Sequence, residues 1–194
     1  SLTIAREIGD RNGEGTALGN LGRVYNSLGN YLQAIEYCQQ HLTIAREIGD
    51  RNGEGIALGN LGNAYDSLGD YTQAINYHQQ HLTIARKIGD RKGEGNALGN
   101  LGNAYDSLGD YTQAINYHQQ SLTILREIGD RHCEGTVLGN LGNAHRSLGN
   151  YHQSIDYYQQ NLAIIREIGD YNGEVITLGN LGNACGSLGD YAQA

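Results

Sequence analysis

Asparagine is the residue whose type and spacing suggest chemistry most clearly in this sequence. Asn60 and Asn63 lie three residues apart, and the same pair recurs 40 positions later as Asn100 and Asn103. A primary amide offers both a hydrogen-bond donor and an acceptor, as a peptide backbone does. Amides repeated along one surface would therefore hold an extended peptide regardless of its side chains. The alternative is that the asparagines are simply inherited with a duplicated segment.

A helix over 51–68 would place these amides on a single face. At about 100° per residue, the apolar residues fall on one side and a polar stripe falls roughly opposite. Exposed helix faces usually carry Glu and Lys, which favour helix formation and solubility, whereas this stripe carries mainly amides and hydroxyls. The apolar side consists of Leu58, Leu61, Tyr65 and Leu68, and the stripe consists of Ile56, Asn60, Asn63 and Ser67.

One position beside the amides changes from repeat to repeat, and we expect it to set specificity. It holds Asn26, Asp66, Asp106, Arg146 and Gly186. The sequence thus predicts a binding surface that is acidic in its middle, with Arg23 toward one end and Arg146 toward the other. The alternative is a solvated surface that binds no ligand.

Other ligating or reactive side chains do not form a recognisable set. His78 and His81 lie at i and i+3, where they could grip a metal ion, and His118 repeats the first position. Cys38 and Tyr158 replace that histidine in other repeats, which favours a half-buried packing position over a metal site. The recurring Arg-Glu neighbours are expected to be solvated charge on a helix surface; examples are Arg46-Glu47 and Arg126-Glu127.

Two further segments resemble catalytic or nucleotide motifs only superficially. Gly53-Glu54-Gly55 has neither a preceding strand nor a following Gly-Lys-Ser/Thr, so it does not satisfy the phosphate-loop pattern. Cys133, next to His132 in the first turn of a helix, lacks an identifiable base or orienting partner. We therefore predict a protein without catalytic residues, bound metal or cofactor.

Composition and charge narrow the class of partner. The 194 residues include 13 Lys and Arg against 21 Asp and Glu, a formal net charge of −8, which argues against nucleic acid or an anionic membrane as partner. Three cysteines without motif spacing favour a reducing, cytoplasmic location. The first residue is Ser1 rather than Met, so we expect the chain to be part of a longer protein.

The elements that position the asparagines follow from an internal repeat of 40 residues. Residues 55–80 and 95–120 differ only in that Asn96 replaces Ile56, and a chain of such units forms a stacked array. A Gly-Asp or Gly-Asn pair falls every 20 residues, from Gly9-Asp10 to Gly189-Asp190. The glycine is expected to end one helix in the left-handed conformation, and the Asp or Asn to cap the next.

Each repeat therefore consists of helix A and helix B, each of about 18 residues. Two interior glycines of helix A, such as Gly59 and Gly62, weaken a free helix, and we expect another helix to pack closely on them. The whole chain, 1–194, is predicted to be one array. It divides into a partial repeat 1–10, full repeats 11–50, 51–90, 91–130 and 131–170, and a partial repeat 171–194.

The repeat resembles the tetratricopeptide repeat over its whole length. The segments that carry the resemblance are Leu61-Gly62-Asn63-Ala64-Tyr65, Gly69-Asp70-Tyr71, Ala74-Ile75 and Leu82. Two features depart from the family: the unit has 40 residues instead of the usual 34, and the proline that closes helix B is absent. Long repeats of this kind are similar to those of the Pins/LGN scaffolds and of bacterial, especially cyanobacterial, signalling proteins. Nothing matches the G-protein-binding region of the former.

The resemblance implies an all-α, right-handed superhelical solenoid of antiparallel helix pairs, in which the A helices line a concave groove. The function it implies is a non-catalytic scaffold that binds an extended segment of a partner protein. The alternative is a structural module that stacks end to end, through apolar surfaces around Leu2, Ile4 and Ile8 and around Leu178, Leu181 and Leu188. The candidate groove residues are Arg23, Asn26, Asn60, Asn63, Asp66, Asn100, Asn103, Asp106, Asn140, Asn143, Arg146 and Asn183.

Overall fold

The protein is described by a computed structural model that covers residues 2–193, of which 190–193 are described by their backbone alone. These residues form ten α-helices and no strand. The prediction of an all-α fold is confirmed. The helices are α1 (Leu2–Ile8), α2 (Arg11–Ser27), α3 (Tyr31–Ile48), α4 (Arg51–Leu68), α5 (Tyr71–Ile88), α6 (Arg91–Ser107), α7 (Tyr111–Ile128), α8 (Arg131–Ser147), α9 (Tyr151–Ile168) and α10 (Tyr171–Gln193).

The helices group into two compact units, the first ending at Ala104 and the second beginning at Tyr105. In the first unit α2 packs against α3, α3 against α4, and α4 against α5, while α2 also contacts α4. In the second unit α8 packs against both α7 and α9, and α10 contacts α9 and α8. Within each unit the helices in these contacts pack mainly on their neighbours along the chain, which is the contact pattern of a solenoid of helix pairs.

The turns between helices have the predicted chemistry. Nine glycines, from Gly9 to Gly169, adopt positive φ angles at intervals of 20 residues. At one of these turns the Asp50 backbone N–H donates to the Ala45 carbonyl at 2.9 Å, and the Asp50 side chain accepts from the Gly53 N–H at 2.9 Å. The capping prediction is wrong for Asn30 and Asn150, whose side chains make no cap hydrogen bond.

The predicted helix end at Gly189 is also wrong, because α10 continues through Gly189-Asp190 to Gln193. Elsewhere the left-handed glycine is favoured because it lets the next helix fold back and bury its apolar face.

The core lies between the A and B helices, where the glycines of the A helices allow close approach. Leu58 and Leu61 are fully buried, whereas Leu68, predicted for the same apolar face, is 43 % exposed near the turn. A methyl group on Gly62 would overlap the imidazole of His78 on α5. The expected close packing on Gly62 is therefore confirmed, and His78 is the side chain that fills the space.

Candidate functional site

The polar stripe of the A helices forms one surface of the first unit, which we call the A-helix face. It is built from α2, α4 and α6. Arg23, Asn63 and Asn103 are exposed on it, and Asn60 and Asn100 are half-buried. The helical periodicity explains this placement, because the same helices turn their leucines toward the B helices.

Two asparagines of neighbouring A helices bind each other across this face. Asn100 Nδ2 on α6 donates to Asn63 Oδ1 on α4 at 3.1 Å, although the residues are 37 positions apart. We call this pair the rung. It uses the acceptor oxygen of Asn63 and one donor of Asn100, which leaves the NH₂ group of the exposed Asn63 available to a ligand.

The equivalent contact between α2 and α4 is missing. Asn60 occupies the position of Asn100, but the position of Asn63 is taken in α2 by Arg23, which offers no side-chain acceptor. The Nδ2 atom of Asn60 is buried, and no residue in the described part of the chain accepts a hydrogen bond from it. The presence of Arg23 at the asparagine position thus leaves the Nδ2 donor of Asn60 without an acceptor among the described residues.

A cleft of about 390 Å³ lies beside this unmet donor. Its walls come mainly from α2 and α4, and they include Asn20, Arg23 and Asn60 together with Asp50 at the preceding turn and His41 from α3. His41 is 7 % exposed, and burial lowers its pKa, outweighing the opposite effect of the Asp50 charge. The imidazole is therefore neutral at pH 7, and the charges of the cleft are those of Arg23 and Asp50.

The variable position is more buried than the sequence suggests. Asn26 and Asp66 in the first unit, and Asp106 and Arg146 in the second, are all half-buried. The Oδ1 atoms of Asn26, Asp66 and Asp106 are buried without a hydrogen-bond partner among the described residues. Burial raises the pKa of Asp66 and of Asp106. The acidic middle of the predicted surface is therefore only partly open to solvent, and Gly186 at the same position of α10 is exposed.

The second unit presents the asparagines differently. Asn143 Oδ1 accepts a hydrogen bond from the hydroxyl of Tyr158 at 2.6 Å. Tyrosine stands here in place of His78 and His118 of the two preceding repeats, and its ring packs against Gly142. Asn143 is therefore half-buried and hydrogen-bonded to a tyrosine of the core. Asn140 is half-buried on α8, and Asn183 is exposed on α10.

An arginine clamp on a buried glutamate is the feature that the sequence analysis missed. Arg46 Nε donates to Glu54 Oε1 at 2.8 Å, and Arg51 Nη1 donates to Oε2 at 2.6 Å, while Glu54 is only 4 % exposed. The expectation that Arg46 and Glu47 are merely solvated charge is wrong, since Glu47 binds Arg11 instead. Both arginine contacts recur around Glu14, Glu94 and Glu134.

The clamp has an electrostatic signature and a detectable sequence signal. Burial alone would raise the pKa of Glu54, but the hydrogen bonds from Arg46 and Arg51 outweigh it and lower the pKa below its usual value. The signal was a glutamate at the fourth position of every A helix with an arginine eight positions earlier. Because the turn reverses the chain between them, the clamp joins helix B of one repeat to helix A of the next.

The histidines considered as metal ligands, His78, His81 and His118, are packing residues. His78 and His118 are each 1 % exposed, which makes them buried rather than half-buried as predicted. Burial lowers the pKa of both to about 4. Among the described residues no three His, Cys, Asp or Glu side chains are grouped to hold a metal ion. His81 is half-buried and faces Gly59.

None of the helices described here is both long and apolar enough to span a bilayer.

Several solved structures share the fold. BtubC from P. vanneervenii is 19 % identical with a TM-score of 0.87, and the match covers 100 % of this chain and 82 % of that one. A signal-transduction ATPase with a tetratricopeptide repeat sensor from Pyrococcus horikoshii is 21 % identical with a TM-score of 0.84, covering 94 % of this chain and 28 % of that one.

A third similar structure is a Rap protein complexed with competence and sporulation factor. It is 17 % identical with a TM-score of 0.75, and the match covers 89 % of this chain and 53 % of that one. At these identities the likeness concerns the fold alone. A search of curated protein sequences gave no match.

The family assignment rests on the repeats themselves. The tetratricopeptide repeat family model matches residues 1–47, 13–87, 67–127 and 133–194. Those matches cover nearly the whole sequence, and the helix pairs, the turn glycines and the packed Gly62 agree with them. The chain therefore belongs to the tetratricopeptide repeat family.

Proposed function

We propose that the protein is a non-catalytic scaffold whose A-helix face binds an extended segment of a partner protein. The tetratricopeptide repeat is a protein-interaction fold, and its family is generally non-enzymatic. The observation that carries the proposal is the rung, because it fixes the amide of Asn63 on an exposed surface with its NH₂ group still available. Such an amide matches the carbonyl groups of a peptide in extended conformation.

Two further observations support this function. The stripe is amide-rich on successive A helices, where solubility alone would favour charged side chains. The Rap protein of similar fold is complexed with competence and sporulation factor, so a related solenoid holds a partner. Cys38, Cys133 and Cys185 form no disulfide within the described residues, which supports a reducing, cytoplasmic setting.

The test is selection of binders from a phage-displayed library of random 12-residue peptides. Peptides that bind the wild-type protein are then measured against the double variant Asn63→Ala/Asn103→Ala. Each alanine should weaken binding by about 1 kcal/mol, or roughly fivefold, if one net hydrogen bond is lost. The matched control is Thr72→Ala/Thr112→Ala, which alters two exposed positions on the B helices and should leave affinity unchanged. Equal affinity of all three proteins, with their helicity intact, would contradict the proposal.

A second candidate function is self-assembly, and one observation favours it. Large apolar side chains are exposed on α1, α2 and α10: Ile4 is 55 % exposed, Val24 54 % and Val175 72 %. A cleft of about 820 Å³ beside α2 is lined by Leu2, Leu21 and Val24 among others. We propose a second copy of this chain as its occupant. Sedimentation velocity that detects only monomer at several hundred micromolar would exclude this alternative.

A further inference from the structure

We propose that three stacked tyrosine pairs are sites of oxidative modification, at which a one-electron oxidant fastens helix A to helix B of one repeat through a dityrosine bond. In each pair the first ring comes from an A helix and the second from the B helix that follows it. The inference goes beyond the proposed function, because it concerns packing within a repeat and not the A-helix face. The pairs are Tyr25–Tyr37, Tyr65–Tyr77 and Tyr105–Tyr117.

The two rings of a pair lie close and almost parallel. The centroids of Tyr65 and Tyr77 are 5.3 Å apart with 11° between the ring planes, and Tyr105 and Tyr117 give 5.3 Å and 10°. The first pair is similar, at 5.2 Å and 21°. These values are typical of stacked aromatic side chains. Since a tyrosine side chain has two rotatable torsions, carbons of the two rings can be brought together by a local movement.

The rings of a pair also carry their hydroxyl groups side by side. Burial raises the pKa of Tyr65, and Tyr77 raises it further by its charge and through a hydrogen bond between the two side chains. Tyr105 and Tyr117 show the same effects. Neighbouring hydroxyls bring together the ring carbons ortho to them, which are the carbons at which tyrosyl radicals couple. The stack therefore presents the reacting positions of two rings to each other.

The modification removes two electrons and two protons from a pair. The oxidant takes one electron from each ring while the hydroxyl proton passes to water, which leaves two neutral tyrosyl radicals. The radicals form a carbon–carbon bond between ortho positions, and the hydrogen on each of those carbons then passes, by way of water, to the phenolic oxygen. With hydrogen peroxide activated by a haem peroxidase as the oxidant, the two electrons and two protons convert one peroxide into two molecules of water.

Burial directs the radicals to their own partners. All six rings of the pairs are half-buried, so an oxidant can reach their edges while a tyrosine of another chain cannot stack on their covered faces. Tyr171 is the contrast, because it is 81 % exposed and forms no ring stack among the described residues. A radical on Tyr171 would couple between chains, whereas radicals of the pairs couple within one chain.

The fourth full repeat contains the same stack without the second phenol. His145 stands at the position of Tyr25, Tyr65 and Tyr105, and it stacks on Tyr157 at 5.2 Å with 18° between the planes. Histidine therefore keeps the packing at this position but cannot form dityrosine. The substitution Tyr65→His copies an arrangement that the chain already uses, so we expect the variant to fold.

The experiment is oxidation of the full chain by a haem peroxidase with hydrogen peroxide, at a protein concentration low enough to limit collisions between chains. The exposed Cys185 is alkylated beforehand so that its thiol does not reduce the radicals. Dityrosine fluorescence, gel electrophoresis and mass spectrometry of the digested protein identify the product. We expect monomeric chains in which each of the three pairs is linked with the loss of two hydrogen atoms, and no link that includes Tyr157.

A variant and its matched control test the role of the stack. Tyr65→His should remove the link to Tyr77 and about one third of the fluorescence, and it should leave Tyr105 and Tyr117 linked. Tyr171→His alters a tyrosine outside the stacks and should leave the fluorescence of the monomer unchanged. The proposal is overturned if Tyr65→His retains the wild-type fluorescence. It is also overturned if protein unfolded in urea forms as much dityrosine within the chain as folded protein does.

The oxidised monomer should also be harder to unfold. A bond between Tyr65 and Tyr77 closes a loop across the turn at Gly69, and such a cross-link restricts the unfolded chain. We expect the midpoint of urea unfolding to rise on oxidation, and to rise less in Tyr65→His than in the wild type. A midpoint that stays the same or falls would overturn the proposal, since the bond would then not fasten the native helix pair.

Discussion

Replacing the two buried histidines, His78 and His118, with cysteine should remove most of the loss of stability that the protein undergoes in mild acid. Each imidazole is 1 % exposed and lies in the core between an A and a B helix. Cysteine is a suitable replacement because Cys38 fills the same position in an earlier repeat, where it is also buried against Gly22. The substitution therefore keeps a packing arrangement that the chain already uses.

The magnitude follows from the pKa of the two histidines. Burial, assisted at His78 by nearby His81, lowers the folded-state pKa from 6.5 to about 4. The unfolded chain therefore takes up protons first, and the stability present above pH 6.5 is lost as the pH falls toward 4. At pH 5 the loss is about 2 kcal/mol for each histidine, or about 4 kcal/mol for the pair.

The assay is urea unfolding followed by circular dichroism at pH 7.5 and pH 5.0. Between these pH values the free energy of unfolding of the wild type should fall by about 4 kcal/mol more than that of the double cysteine variant. Each single variant should differ from the wild type by about half of that amount. The other titrating groups are common to the proteins compared, so their contributions cancel. His152→Ala, at an exposed position of α9, is the control and should behave as the wild type. An equal loss of stability in acid for the wild type and the double variant would show that the two buried histidines are not its cause.

Four further substitutions test the packing and the charges. Gly62→Ala should destabilise by about 1–3 kcal/mol because the added methyl meets His78, whereas Gly182→Ala, which meets nothing within 4 Å, should stabilise by up to about 1 kcal/mol; thermal unfolding compares the two. Glu54→Gln should lower the free energy of unfolding at pH 7 by about 1.5–3 kcal/mol. The difference in this free energy between variant and wild type should become smaller as the pH falls below the ordinary glutamate pKa. Urea unfolding across pH 3–7 measures it. Asp66→Asn should raise stability at pH 7, since burial raises the pKa of Asp66 and its charge is unfavourable; a lower unfolding temperature would contradict that expectation.

The features that could be predicted from the sequence are those fixed by a few adjacent residues. Gly49 and Asp50 end one helix and cap the next through contacts within five positions, so their types suffice to locate the turn. Gly189-Asp190 shows the limit of this rule. There the same dipeptide lies inside α10, so the pair alone does not determine where a helix ends.

The features that could not be predicted depend on the register between helices. Arg46 lies beside Glu47 in sequence, but the reversal at the turn brings it to Glu54, eight positions later. The rung joins residues 37 positions apart, and a helical wheel of one repeat says which face they share but not whether they touch. The same wheel leaves the burial of Asp66 undetermined, because that burial comes from packing between elements.

Binding of an extended peptide to the A-helix face can be observed by locating a selected peptide on the protein. A library-selected peptide carrying a nitroxide at its middle is added at saturation, and paramagnetic broadening of the amide signals is mapped. We expect broadening of the side-chain signals of Asn63 and Asn103, with the backbone signals of Thr72 and Thr112 on the B helices unaffected. Broadening confined to the B helices would contradict it.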